Sequence, residues 1–316
     1  MKKYKNKAKI DQIPLWKYLN LNADFLVSRV DASFKKNKLK NNYVKLAWKL
    51  LRDKYFACEY KQNISIERIF ESGFFDDELP LKYYSKLNYY WSKTPVGKIK
   101  NNYKNNSQKG EYAVLLTAGA FSPIHVGHIL YMNAAKEALE ARGVIVLGGY
   151  FSPSHDDYVN LKDNGSARLD AKKRAELCRL AVRDSDWLMV DSWESLHVSA
   201  PIIFTLVYER LRKYLQFNFP ELTKLKIYFV VGSDNAAYAR AFLKYGYCIC
   251  TERYGYKKTY EQIKTELYGN KNIIFIDYKK EYLKCSSSLV RQGRLYMLES
   301  KIIDKYKNLK KIGNRK

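Results

Sequence analysis

The sequence predicts an α/β fold: a doubly wound parallel sheet over residues 111–316, preceded by an extra, mainly helical N-terminal region. Three observations carry this. Six apolar runs of strand length alternate with helical patterns after residue 110. The runs are continuously apolar, as in strands covered on both faces. A polar, basic stretch, TPVGKIKNNYKNNSQKG (Thr94 to Gly110), separates them from a first third of different texture.

The elements follow in chain order. In NNYVKLAWKLLRDKYFA, Val44, Ala47, Leu51 and Tyr55 fall at helical spacing, so residues 1–93 read as a basic helical region. Residues 94–110, rich in Asn, Gly and Ser, read as a linker or long surface loop. Then come AVLLTA and a helix over His128 to Ala141, VIVLGG and a helix over Ala167 to Val182, and WLMV and a helix over Ile202 to Leu215. The second half repeats the pattern with IYFVV and Ala236 to Leu243, YCIC and Tyr260 to Leu267, and IIFI near the end, before a C-terminal helix. Ligands of such sheets bind beyond the carboxyl ends of the strands, so chemistry belongs in the segments that follow each run.

Composition narrows the partners. The formal charge is +25, and 24 basic against 10 acidic residues up to Gly110 place +14 of it in the first third. Such a balance favours anionic partners, nucleotides or nucleic acid among them. An A/T-rich coding bias, which enriches Lys, Asn and Tyr, yields the same composition. The five cysteines are scattered and form no CxxC pair, which argues against a disulfide framework or a zinc site and fits a reducing, cytoplasmic setting, the nucleus included. No apolar run is long enough to span a bilayer, and no apolar signal core follows the basic N-terminus.

Two segments carry chemistry. The first, GAFSPIHVGH (Gly119 to His128), follows the first strand. Gly119 and Gly127 let backbone approach a ligand closely, and a helix opening near Gly127 offers free N–H groups to an anion. His125 and His128 add donors whose charge can rise beside a phosphate. The second, CSSSLVRQG (Cys285 to Gly293), sets three serines before a short helical pattern. Ser286 or Ser287 can cap that helix, and Arg291, one turn in, can fork onto phosphate oxygens. Each segment also has a plain reading: two histidines near a turn, and an ordinary cap with a solvated arginine.

Together the two segments resemble the nucleotidyltransferase superfamily of the HxGH motif and a late ISSTxxR motif, here His125–Val126–Gly127–His128 and Ser286–Ser287–Ser288 with Arg291. Cys285 stands for the usual Ile and Ser288 for the usual Thr. The resemblance narrows with FSPSHDDYVN (Phe151 to Asn160), WLMVDSWES (Trp187 to Ser195) and VVGSDNA (Val230 to Ala236). These are similar, in order, to segments of eukaryotic-type nicotinamide mononucleotide adenylyltransferases, whose fold is Rossmann-like.

The resemblance implies the following. ATP and Mg²⁺ are required, and AMP is joined to nicotinamide or nicotinate mononucleotide to give a dinucleotide and pyrophosphate. The backbone of Gly119, Ala120 and Phe121 lies against substrate. His125 and His128 contact the ATP phosphates, with Gly127 between them. Gly232 and Asp234 approach the adenosine ribose. Ser286, Ser287, Ser288 and Arg291 hold the outer phosphates, which makes His128, His125 and Arg291 the catalytic set. Arg174, Arg253, Trp193 and Lys162 serve the mononucleotide, although Trp193 is equally well a core residue. Lys162 stands in for a family lysine whose aligned position is Asn160. Phe242, Tyr245 or Tyr247 replaces a ring-stacking Trp, since no Trp follows Trp193. The resemblance implies no resident protein-held metal, a homo-oligomer and nucleotide partners.

Alternatives stay open. A related enzyme would move AMP or CMP to another phosphorylated metabolite. A non-catalytic sensor would bind nucleotide without releasing pyrophosphate. A nucleic-acid adaptor would use the basic N-terminal region, which has no recognisable reading motif and is less favoured.

Overall fold

The computed structural model describes residues 94–106, 110–162, 169–197, 201–243, 246–277 and 284–313. The helical reading of residues 1–93, Tyr245 and the Lys162 side chain lie outside them.

In chain order the elements are α1 (Gly97–Asn105), β1 (Glu111–Gly119), α2 (Val126–Glu140), β2 (Val144–Pro153), α3 (Asp156–Lys162), α4 (Ala171–Ala181), β3 (Leu188–Val190), α5 (Trp193–Leu196) and α6 (Phe204–Asn218). They continue with β4 (Lys226–Gly232), a 3₁₀ segment (Ser233–Phe242), β5 (Tyr247–Thr251), α7 (Lys257–Glu266), β6 (Ile273–Ile276), α8 (Ser287–Arg291) and α9 (Ser300–Gly313). The strands form one sheet in the order β3-β2-β1-β4-β5-β6, every neighbour parallel. The chain winds outward from β1 to β3, then crosses over to β4 and winds the other way. The switch point therefore lies between β1 and β4, whose carboxyl ends are Gly119 and Gly232. A crevice opens at such a reversal, because the helices after the two strands pack on opposite faces.

Burial on both faces explains the unbroken apolar runs. Leu115, Val146, Phe151 and Val230 face Met132 and Leu139 of α2, Leu177 of α4 and Ile302 of α9 in one core. Their neighbours Val114, Leu116 and Phe229 are buried as well, and Phe229 meets Phe204 of α6 and Phe242 with ring centroids 5.0 and 5.6 Å apart. Cys248 and Cys250 are buried in β5. Helix α9 is tied to the first-half layer by ion pairs Lys305–Glu176 (2.7 Å) and Lys301–Asp184 (2.9 Å).

One expectation is corrected. The stretch read as a linker, Thr94 to Gly110, holds helix α1, which is docked on the sheet. Val96, Ile99 and Tyr103 recur at helical spacing within its polar sequence. Ile99 is fully buried over Gly148 of β2, where any Cβ would come within 2.8 Å of it. The Lys98 amine caps the Val182, Ser185 and Leu188 carbonyls, and Asn102 donates to Leu147 O at 3.0 Å. Ahead of the helix, buried Thr94 donates to Asp191 (2.8 Å) and accepts from Arg210 (2.6 Å). The segment is part of the domain because its few apolar side chains meet a groove that only the folded sheet supplies.

Candidate active site

The loop after β1 is shaped by one unusual residue. Phe121 has φ +42°, a left-handed backbone that bulky side chains rarely adopt and that costs about 1–3 kcal/mol. Its surroundings hold it there. The ring packs edge-on against Phe151 (5.4 Å) and His128 (5.0 Å). Arg174 Nη1 donates to the carbonyl before it, Ala120 O (2.7 Å), and Arg291 Nη1 to the carbonyl after it, Ser122 O (2.7 Å).

His125 then caps α2 with an extended backbone, and His128 lies at the third helical position. The His125 N–H donates to His128 Nδ1 at 3.1 Å, and the rings stack with centroids 3.7 Å apart. An accepting Nδ1 leaves the proton of the neutral His128 ring on Nε2, so that ring is a donor. Burial pushes His125 down to about 3, with the Arg253 charge adding to it. Burial, His125 and Arg253 together push His128 well below the usual histidine range. Both imidazoles are therefore neutral near pH 7 until an anion arrives to stabilise the cation. His125 Nδ1 is buried without a hydrogen-bond partner among the described residues.

The serine segment docks onto this loop. Ser286 caps α8, its side chain accepting from Leu289 N at 3.1 Å. Ser287 Oγ donates to Pro123 O at 2.8 Å, and Arg291 Nη2 to Ser288 Oγ at 3.1 Å. At Gly127 the two segments touch so closely that a Cβ would lie 2.9 Å from Cys285 Cβ. That contact requires glycine.

Arg253, after β5, ties in a third segment. It pairs with Asp234 of the turn after Gly232 (2.6 Å), donates to Cys285 O (3.1 Å), and its N–H reaches Ser233 Oγ (2.8 Å). The resemblance assigned Arg253 to the mononucleotide, whereas the fold sets it between the serine segment and the Gly232–Asp234 turn. A cavity of about 250 Å³ results, lined by His125, Gly127 and His128 from one segment, Cys285 and Ser286 from the other, and Arg253 between them. Ser287 and Arg291 are instead bonded to Pro123 O and Ser122 O, and Arg291 to Ser288; these three, like Gly119, Ala120 and Phe121, are outside the cavity lining.

The cavity also has walls that the sequence reading missed. Tyr131, one turn after His128, shares a 2.6 Å hydrogen bond with Thr117. Glu252, Tyr254 and Tyr256 follow β5, and Lys284 sets its amine 4.2 Å from the Tyr254 ring centre. Tyr254 and Tyr256 are 52% and 44% exposed, which is high for aromatic rings. The carboxyl-end rule applied to ERYGY would have found both.

On the β2–β3 side the residues are placed otherwise than expected. Arg174 is 0% exposed. Besides Ala120 O, it donates to Leu169 O (3.1 Å), Ser154 O (2.6 Å) and Asp156 Oδ1 (2.9 Å). Four of its donor bonds thus go to the protein, in place of the open position expected of a mononucleotide contact. Trp193 is 3% exposed beneath the Arg210 guanidinium (4.8 Å). Phe242 is buried in the aromatic cluster, and Tyr247 opens β5 at the sheet edge opposite the crevice, so neither replaces the missing stacking ring. Burial raises Glu194 to about 8, with a hydrogen bond from His155 N (3.2 Å) opposing the shift.

Fold and site together define a doubly wound α/β domain whose switch-point crevice holds a cavity lined by the histidine and serine segments. The chain belongs to the cytidylyltransferase-like family, whose profile matches residues 116–293, more than half of its length. It is similar to a nicotinamide/nicotinic acid mononucleotide adenylyltransferase of Arabidopsis thaliana, 34% identical over 142 residues, which are 44% of this chain and 56% of that protein. A relative of the same description from Oryza sativa is 38% identical over 102 residues, 32% of this chain and 39% of that one. The matched stretch thus spans about half, or less, of these relatives. Among solved structures, Plasmodium falciparum nicotinic acid mononucleotide adenylyltransferase complexed with APC aligns with a TM-score of 0.42 and 16% identity, over 61% of this chain and 89% of that one. Among the described residues no helix is long and apolar enough to cross a membrane.

Proposed function

We propose that the chain is an adenylyltransferase that joins ATP to nicotinamide or nicotinate mononucleotide, giving a dinucleotide and pyrophosphate. The observation that carries this is the shared cavity: His128 and Ser286, 158 residues apart in sequence, line one space, with Arg253 between them. The family membership and the names of the relatives support the same reading.

The chemistry asks little of a base. A mononucleotide phosphate is already anionic near pH 7, so it attacks the α-phosphorus in line and pyrophosphate leaves. The protein's task is to position two anions and to neutralise charge as it shifts to the leaving group. The neutral His128 donates through Nε2 to a phosphate oxygen, and Arg253, Lys284 and the N–H groups opening α2 add positive potential. The unpartnered His125 Nδ1 marks a polar atom that a ligand or water completes.

The Mg²⁺ implied by the resemblance would neutralise phosphate charge when bound. Among the described residues no cluster of three His, Cys, Asp or Glu forms a metal cage. Mg²⁺ commonly keeps several waters and is bound through one or two carboxylates plus substrate phosphates, so it needs no such cage.

The test is pyrophosphate release from ATP and Mg²⁺ with each mononucleotide, followed by isolation of the dinucleotide. A panel with CTP and other phosphorylated acceptors runs beside it, since Asn160 stands where the family carries lysine. Stoichiometric pyrophosphate and dinucleotide are expected; nucleotide binding without release would leave the chain a sensor.

A further inference from the structure

Resting on that reading, we propose that Arg174 is a positioning residue, which sets the His128 ring through the backbone of Ala120 and the side chain of Phe121. Three observations form the relay. Arg174 is fully buried and donates to Ala120 O at 2.7 Å, while its other donors bind Leu169 O, Ser154 O and Asp156. The guanidinium is thus anchored on three further sides and fixes the Ala120 carbonyl rigidly. The next residue, Phe121, has the left-handed φ of +42°, and this folds its ring back over Gly119, where a Cβ would come within 3.3 Å of the ring tip. That ring stands edge-on to His128 at 5.0 Å.

Strain of this kind persists only where the surroundings over-determine it. The two arginine clasps on the carbonyls either side of Phe121, Arg174 on Ala120 and Arg291 on Ser122, do so here. Arg291 also belongs to the serine segment, so it reports on two functions at once. Arg174 is absent from the cavity lining and ties the loop to Leu169, Ser154 and Asp156.

The experiment uses the full chain with Arg174→Lys, which keeps the charge and loses the fork. Two quantities are read: steady-state pyrophosphate release, and the ¹⁵N–¹H signals of the imidazoles, of which the chain has only four. Arg174→Lys is expected to lower kcat tenfold or more, to leave KM for ATP within about threefold, and to shift the His128 ring signals while those of His197 stay in place. A folded Arg174→Lys protein with kcat within twofold of wild type, or with unmoved His128 signals, overturns the proposal. If Arg174→Lys does not fold, Phe121→Leu removes the far end of the relay while leaving Arg174 in place. It must then shift the His128 signals and lower kcat; unchanged values overturn the proposal equally. The ring signals need no turnover. A wild-type protein that releases no pyrophosphate therefore defeats the transfer reading, while the His128 shift still decides the relay.

Discussion

The two sides of the crevice place their polar side chains differently. On the β4–β5 side, Arg253, His125, His128 and Ser286 line open space. On the β2–β3 side, Arg174, Arg210, Asp191 and Glu194 are buried; Arg174 donates to Leu169 O, Ser154 O, Ala120 O and Asp156, and Arg210 donates through both terminal nitrogens to Asp191 and Thr94. On the first side Arg253 lines the cavity while bonded to Asp234 and Cys285 O; on the second, Arg174 holds the backbone of the loop after β1. What separates the two sides is access to the cavity, and residue type does not reveal that.

The largest expected effect lies on the scaffold side. Asp191→Ala strips Arg210 of its 2.6 Å partner in a fully buried pair. Breaking such a pair costs about 3–5 kcal/mol, because a charge is left uncompensated away from water. Denaturant unfolding followed by circular dichroism should show that loss, and a loss below about 1 kcal/mol would place the pair in contact with solvent. His128→Ala should do the reverse. Turnover falls about 10²–10³-fold, as for removal of one donor to a transition state, with the unfolding midpoint little changed.

Next comes the pH dependence of stability. Glu194 rises from the ordinary carboxylate value to about 8 on folding. The folded state then holds a proton that the unfolded state has released, so this group removes stability as pH rises from about 4.5 to 8, by up to about 1.4 kcal/mol per pH unit. The site histidines act with opposite sign. Their depressed values remove stability as pH falls from about 6.5 towards the value of about 3 reached by His125. Glu194→Gln should abolish the alkaline slope and spare the acid one; an unchanged alkaline slope would mean that Glu194 is ionised in the native protein. The smallest effect belongs to the exposed rim. Lys284→Met removes an amine from the Tyr254 ring and should raise KM for ATP about two- to fivefold, less at high salt.

Much of the fold is legible in the sequence because it rests on local pattern. All six apolar runs form strands within a few residues of their expected ends, since strands buried on both faces stay apolar throughout. Ser286 caps α8 as read, because a cap acts over three residues. What the sequence hid depends on distant partners. Helix α1 was hidden because Ile99 finds its groove at Gly148, in a strand not yet folded around it. Arg174 looked like a ligand contact because its acceptors at Ala120 and Ser154 lie 54 and 20 residues away. Trp193 looked ambiguous until Arg210 lay across its ring. Tyr254 and Tyr256 were legible in principle, since they follow a predicted strand, but their chemistry is generic and their exposure had to be seen.

The central claim is that the histidine and serine segments grip one triphosphate tail. A double-mutant cycle in kcat/KM for pyrophosphate release, with His128→Ala, Arg291→Ala and the double variant, tests it most directly. Distant, independent sites add within about 0.3–0.5 kcal/mol, whereas groups that serve one transition state couple by about 0.5–3 kcal/mol. The double variant is expected to lose clearly less than the product of the two single losses. Losses that multiply in full would mean that the two segments act separately, and the shared cradle would be refuted.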